Sequence, residues 1–192
     1  MSLREDAASN HATTAEGFSR RVHGADPAVW EDPSPVKEWT ARDVVGHLIT
    51  WLPGFLENGA DVDLPDVPSV DEDPVAAWDA HVARVQGLLD DPATDARVYT
   101  SPMFGEIPLA QAVEQFYTTD VFMHTWDLAR ATGQDDTLDE DRCREIYEGM
   151  LPMDDLLRDS GQFGPRVEVS DQASYQDKLI AFIGRDPHAP GQ

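Results

Sequence analysis

Between about Leu109 and Thr132 the chain sets Val113, Phe116, Tyr117, Val121, His124, Leu128 and Ala131 at helical intervals, and Gly133 follows as a stop signal. A helix of that length with one apolar face must bury that face against other elements. The rest of the chain offers mostly helices to meet it. Ala8, His11, Ala15, Phe18 and Val22 form a stripe that predicts a first helix ending near Gly24. After Pro27, Pro33 and Pro35, Thr40-Ala-Arg-Asp43 reads as a capping box, with the Asp43 carboxylate in the place of the usual glutamate. Val44, Val45, Leu48, Ile49, Trp51, Leu52, Phe55 and Leu56 continue from it as a broad apolar face. Pro53 predicts a kink in that helix or the end of its regular hydrogen bonding.

Residues 57–73 carry Asp, Pro, Gly and Val without periodicity and predict a long acidic loop. Asp73-Pro74 is an N-cap with proline at the first helical position, and Val75, Trp78, Val82, Val85, Leu88 and Leu89 supply the stripe of a third helix, stopped at Asp91-Pro92. Val98-Tyr-Thr and Gly105-Glu-Ile predict a small extended excursion. A fifth amphipathic stretch runs from Leu138 through Leu157 with a bend at Pro152, and Gly161 follows it. The tail holds a Val167-Glu-Val169 run and a last helix from Tyr175 to Ile183, stopped by Gly184. The expected class is all-α: an antiparallel bundle of four principal helices around one core, over residues 1–160, with residues 161–192 as a small helical tail packed on it.

The formal net charge of −23 disfavours phosphate backbones and anionic leaflets, so neither nucleic acid nor a membrane is an expected partner. The N-terminus has neither a basic start nor an apolar stretch, and the apolar run Leu48 to Leu56 is broken by Pro53, so a soluble cytoplasmic protein is expected. Cys143 stands alone; with Ile146, Tyr147 and Met150 at helical intervals it reads as a small core residue. No phosphate-binding glycine loop, serine-hydrolase elbow or Cys-x-x-Cys pair is present.

Asp120 and His124, four residues apart, project from one helix face. A carboxylate beside Phe116 and Val121 is costly unless paired, protonated or bound to a cation. His47 holds a similar place on the second helix, and two imidazoles with one carboxylate make up the protein ligand set of a water-bearing catalytic metal site. Zn²⁺ is the first choice for such donors; Ni²⁺, Fe²⁺ and Mn²⁺ are the alternatives. Spacing alone leaves open a buried Asp–His hydrogen bond that fixes two helices. Asp127, on a neighbouring part of the same surface, is open to three roles: orienting a ligand, which is the preferred one, binding substrate, or facing solvent. His11 and His81 adjoin apolar stripes and read first as packed core histidines, and His23 and His188 as solvent-facing.

Three stretches together resemble the DinB-like superfamily of metal-binding four-helix bundles, in the actinobacterial branch that includes mycothiol-dependent maleylpyruvate isomerase. They are Trp39-Thr-Ala-Arg-Asp-Val-Val-Gly-His47-Leu-Ile, then Asp120-Val-Phe-Met-His124-Thr-Trp-Asp-Leu-Ala-Arg-Ala-Thr-Gly133, and Phe163-Gly-Pro with the ending Ala181-Phe-Ile-Gly-Arg-Asp-Pro187. The resemblance implies metal ligation by His47, Asp120 and His124, with Asp127 or another group carrying protons. It also implies a small thiol such as mycothiol as cosubstrate, attacking a small electrophile in a transfer or isomerisation. Two departures stand out: the isomerase relatives carry glutamate where Asp120 stands, and they have a larger C-terminal domain. Hydrolysis of a small amide or ester by a metal-bound water is the alternative chemistry, and a non-catalytic metal-binding or scaffold bundle the alternative class. A homodimer fits a bundle of this size.

Overall fold

A computed structural model describes residues 2–102, 105–159, 161 and 163–189. Helix α1 (Leu3–Gly24) opens on a capping box between Ser2 and Glu5, and α2 (Ala41–Ala60) on the one expected between Thr40 and Asp43. Asp73 caps α3 (Pro74–Asp90) by accepting from the Val75 and Ala76 amides. The extended excursion is an antiparallel hairpin of β1 (Val98–Ser101) and β2 (Gly105–Pro108), with Tyr99 opposite Ile107. A single rod follows: α4 (Leu109–Ala112), a π-helical stretch (Val113–Thr118) and α5 (Thr119–Ala131). Gly133 takes a left-handed φ of 66° just beyond its end.

The fold is all-α, with that hairpin as the only sheet among the described residues. In the bundle, α1 packs on α3 and α5, and α2 closes the ring against the same two helices. Phe18, Leu48, Leu52, Leu56, Trp78, Leu89, Leu109, Tyr117 and Leu128 are wholly enclosed in its core. Each such leucine contributes about 2 kcal/mol through transfer from water.

Two sequence expectations change. Of the two outcomes expected at Pro53, a kink or an end to the helix, the second does not occur: α2 runs on to Ala60, because a proline removes one helical hydrogen bond and the burial of Leu52 and Leu56 on either side holds the rod together. The irregular acidic segment therefore begins at Asp61, which takes a left-handed φ of 51°. The single core is also incomplete as a description. Phe122, Met123 and Trp126, on the opposite side of α5, form a second cluster with Cys143 and Ile146 of α6 (Glu140–Met150) and with Leu179, Ile180 and Phe182 of α8 (Tyr175–Phe182). The bend at Pro152 is a short 3₁₀ turn (Leu151–Met153) leading into α7 (Asp154–Asp159). With apolar partners on two sides, α5 is buried from Val121 to Ala129, including its polar residues. Among the described residues no helix is long and apolar enough to cross a membrane.

Candidate metal centre

Position 47 lies on α2 two turns beyond the Thr40 cap, and α5 faces it across the bundle. The His47 side chain is 31% exposed, that of Asp120 20% and that of His124 6%. One potential ligand atom from each lies within 4.8 Å of the other two. His47 Nε2 is 3.0 Å from Asp120 Oδ2, and His124 Nε2 is 3.5 Å from Asp120 Oδ1. The indole N–H of Trp51, one turn beyond His47 on α2, donates to Asp120 Oδ2 at 3.0 Å. Burial pushes the Asp120 carboxyl up, but His124, His47 and the indole outweigh it and hold the group below the ordinary carboxylate range.

Behind His124 lies a second carboxylate. Asp127 is wholly buried; its Oδ2 is 2.8 Å from His124 Nδ1, and Arg185 donates to both its oxygens, at 3.2 Å from Nε and 3.0 Å from Nη2. Burial raises the Asp127 carboxyl, and Arg185 with His124 more than offsets this, leaving it below its ordinary value. An ionised carboxylate only accepts hydrogen bonds, so Nδ1 of His124 carries the proton. In the neutral ring Nε2 is then a bare lone pair, with a carboxylate oxygen 3.5 Å away. Two acceptors at that distance call for a cation beside them, either a proton on the ring or a metal ion.

Arg185 reaches Asp127 because the chain reverses at Gly184, whose φ is +90°; a β-carbon there would lie 2.8 Å from the Gly164 α-carbon. On the outer side, the segment from Trp30 to Arg42 folds on itself through Ser34 N to Trp39 O and Arg42 N to Trp30 O. Glu38 takes a left-handed φ of 69°, and the next residue, Trp39, lays its ring against both imidazoles, with centroids 4.9 Å from His47 and 5.8 Å from His124. Beside them opens a cavity of about 430 Å³, lined by Trp39, Arg42, Gly46, His47, Thr50 and Asp71 among others.

The structure thus brings His47, Asp120 and His124 together and puts Asp127 directly behind His124. His11 and His81 lie elsewhere in the core, and His23 pairs with Asp79 at the surface. Cys143 is enclosed; burial, with Glu140 and Asp139 nearby, pushes its thiol up to about 12, so it stays protonated. Sequence reasoning left Trp39, Trp51 and Arg185 without individual roles. For Trp51 the signal was available, since it stands four residues beyond His47 on one helix face. For Arg185, nothing in the spacing connects it to Asp127.

The family model for the mycothiol maleylpyruvate isomerase N-terminal domain matches residues 11–129. Two Mycobacterium tuberculosis proteins, uncharacterized protein Rv0738 and uncharacterized protein MT0763, are each 31% identical to the chain over 156 residues, covering 80% of it and 83% of their own length. No solved structure matches. All three site residues lie inside the matched stretch, and Arg185 lies outside it. The chain belongs to the DinB-like family defined by the mycothiol maleylpyruvate isomerase N-terminal domain.

Proposed function

We propose that His47, Asp120 and His124 hold one divalent metal ion, zinc first among Zn²⁺, Ni²⁺, Fe²⁺ and Mn²⁺, in a cytoplasmic enzyme that uses a small thiol of the mycothiol kind for transfer or isomerisation on a small electrophile. The observation that carries the metal reading is the convergence of one potential ligand atom each from His47, Asp120 and His124, all within 4.8 Å of one another. Donor chemistry fits as well: two imidazoles and one ionised carboxylate suit first-row divalent ions. A bound ion would supply Lewis acidity there, lowering the pKa of a thiol or water at its open position.

The chain's own groups supply the rest. Asp127 fixes the His124 tautomer, so Nε2 is presented without a proton, and Arg185 keeps that buried carboxylate ionised. Trp51 holds one Asp120 oxygen and orients the other towards His124. Trp39 shields the imidazoles from water on one side, while the adjoining cavity leaves His47 accessible on the other. Asp127 is enclosed and engaged on both oxygens, which supports an orienting role for it over proton transfer with substrate. The chain has one cysteine, deep in the second cluster, so thiol chemistry at the site requires an external thiol.

Turnover of a panel of small electrophiles by zinc-loaded protein, with and without a low-molecular-weight thiol, tests the reaction class. Product that needs both metal and thiol is expected. Equal turnover without thiol would replace the reading with metal-assisted hydrolysis.

A further inference from the structure

A second polar cluster lies inside the bundle. His11 of α1, His81 of α3 and Tyr117 of the π-helical stretch are 0%, 1% and 0% exposed. The His11 and His81 rings lie 6.0 and 5.7 Å from the Tyr117 ring, centroid to centroid. His11 Nε2, His81 Nε2 and Tyr117 Oη are all buried and make no hydrogen bond with any described residue. Each unpaired group of this kind costs about 1–3 kcal/mol, and these three are among six such side-chain atoms in the described residues.

Gln86 donates its amide N–H groups to Ala8 O and Asp90 Oδ1, so its oxygen faces His11 Nδ1 at 2.8 Å and accepts from it. His11 Nε2 is then an acceptor in the neutral ring. Tyr117 Oη brings a donor hydrogen. Burial lowers the pKa of His11, and burial with His11 and Arg84 nearby lowers that of His81 to about 4, so both rings are neutral at pH 7. A cation is disfavoured by the nearby Arg84 guanidinium, whose Nη1 is also buried without a described partner, and a ligand that accepts from Tyr117 while donating to His11 must carry hydrogen of its own. The matching ligand is small, neutral and able both to donate and to accept.

We propose that His11 Nε2, His81 Nε2 and Tyr117 Oη form a binding site for an internal water molecule, which positions the Tyr117 ring beneath Trp51. Water donates to His11, accepts from Tyr117 and takes either role towards His81, making the roughly three hydrogen bonds of a structural internal water. Tyr117 packs on Trp51 with centroids 5.8 Å apart, and Trp51 is the donor to Asp120. The π-helical stretch, a feature frequent at functional sites, turns Tyr117 into this place just before Asp120. The water site stands on these groups whether or not an ion binds at Asp120.

The test is NMR on the metal-free full chain, reading water-to-protein cross-peaks at the His11 and His81 ring protons and the Trp51 indole N–H signal. A long-lived water seen by both rings, lost in Tyr117→Phe together with a shift of the indole signal, is expected. Rings without water cross-peaks in the wild type would overturn the proposal, and that outcome holds even if Tyr117→Phe fails to fold. So would tight uptake of Zn²⁺ by His47→Ala protein that perturbs the His11 and His81 rings, because it would make the cluster a cation site.

Discussion

The bundle contains two pairs of histidines, and they live in opposite surroundings. His47 and His124 share a carboxylate, lie beside a cavity, and are backed by a buried ion pair reaching in from the C-terminal segment. His11 and His81 share a tyrosine, are sealed in the core, and have no carboxylate hydrogen-bond partner among the described residues. An imidazole on an apolar stripe therefore carries no function by itself. What separates the pairs is a carboxylate partner for each ring and, at His47, an adjoining cavity.

The comparison breaks most sharply at the ligands. His47→Ala should weaken metal binding by more than about 100-fold, beyond the usual loss for groups that only support a ligand. Chelator competition measures this, and far-UV helicity should stay nearly unchanged because the apolar core carries the fold. His11→Ala should leave metal affinity within about fivefold of wild type, because it reaches the site only through Tyr117 and Trp51, whose hydrogen bond to Asp120 is worth about that much.

Next in size is Arg185. Arg185→Met strips a buried carboxylate of its cation and should lower stability in urea by about 3 kcal/mol. Through Asp127 and His124 it should also weaken metal binding about 10–100-fold. Pairing it with Asp127→Asn should recover most of the stability, since the buried charge is gone.

The sealed pair should show itself in acid. His81 titrates at about 4 in the fold against 6.5 for its model value. The unfolded chain thus takes up that proton first, so the stability contributed by the neutral ring is complete above about pH 6.5 and is lost as pH falls towards 4. Between pH 7 and pH 5 the loss is on the order of 2 kcal/mol. Urea midpoints of metal-free wild type and His81→Leu measure it, and the variant should show the flatter profile. The smallest effect belongs to Trp51→Phe, which removes one hydrogen bond to Asp120 and should weaken metal binding roughly fivefold, about 1 kcal/mol.

Much of this was legible in the residues. Periodicity and capping chemistry located α1, α2, α3 and the long rod, because a one-faced helix records its partner's position in its own spacing. The i, i+4 relation of Asp120 and His124 likewise needs only local geometry. The second core around Trp126 was hidden because α5 is apolar on two sides, and a two-sided helix has no single stripe to read. Helix α2 continued past Pro53 because packing on either side outweighs one lost hydrogen bond. The Arg185–Asp127 pair spans a sequence separation of 58 residues and depends on the reversal at Gly184, a tertiary event with no local signature. The π-helical stretch at Val113–Thr118 leaves no mark in the apolar spacing either.

Elemental analysis of tag-free protein purified without chelator tests the central claim most directly. The account predicts about one equivalent of a divalent metal in the wild type and none in His47→Ala, Asp120→Ala or His124→Ala, each still helical. Metal-free wild type that also fails to take up Zn²⁺, or variants that keep the wild-type metal content, would contradict it.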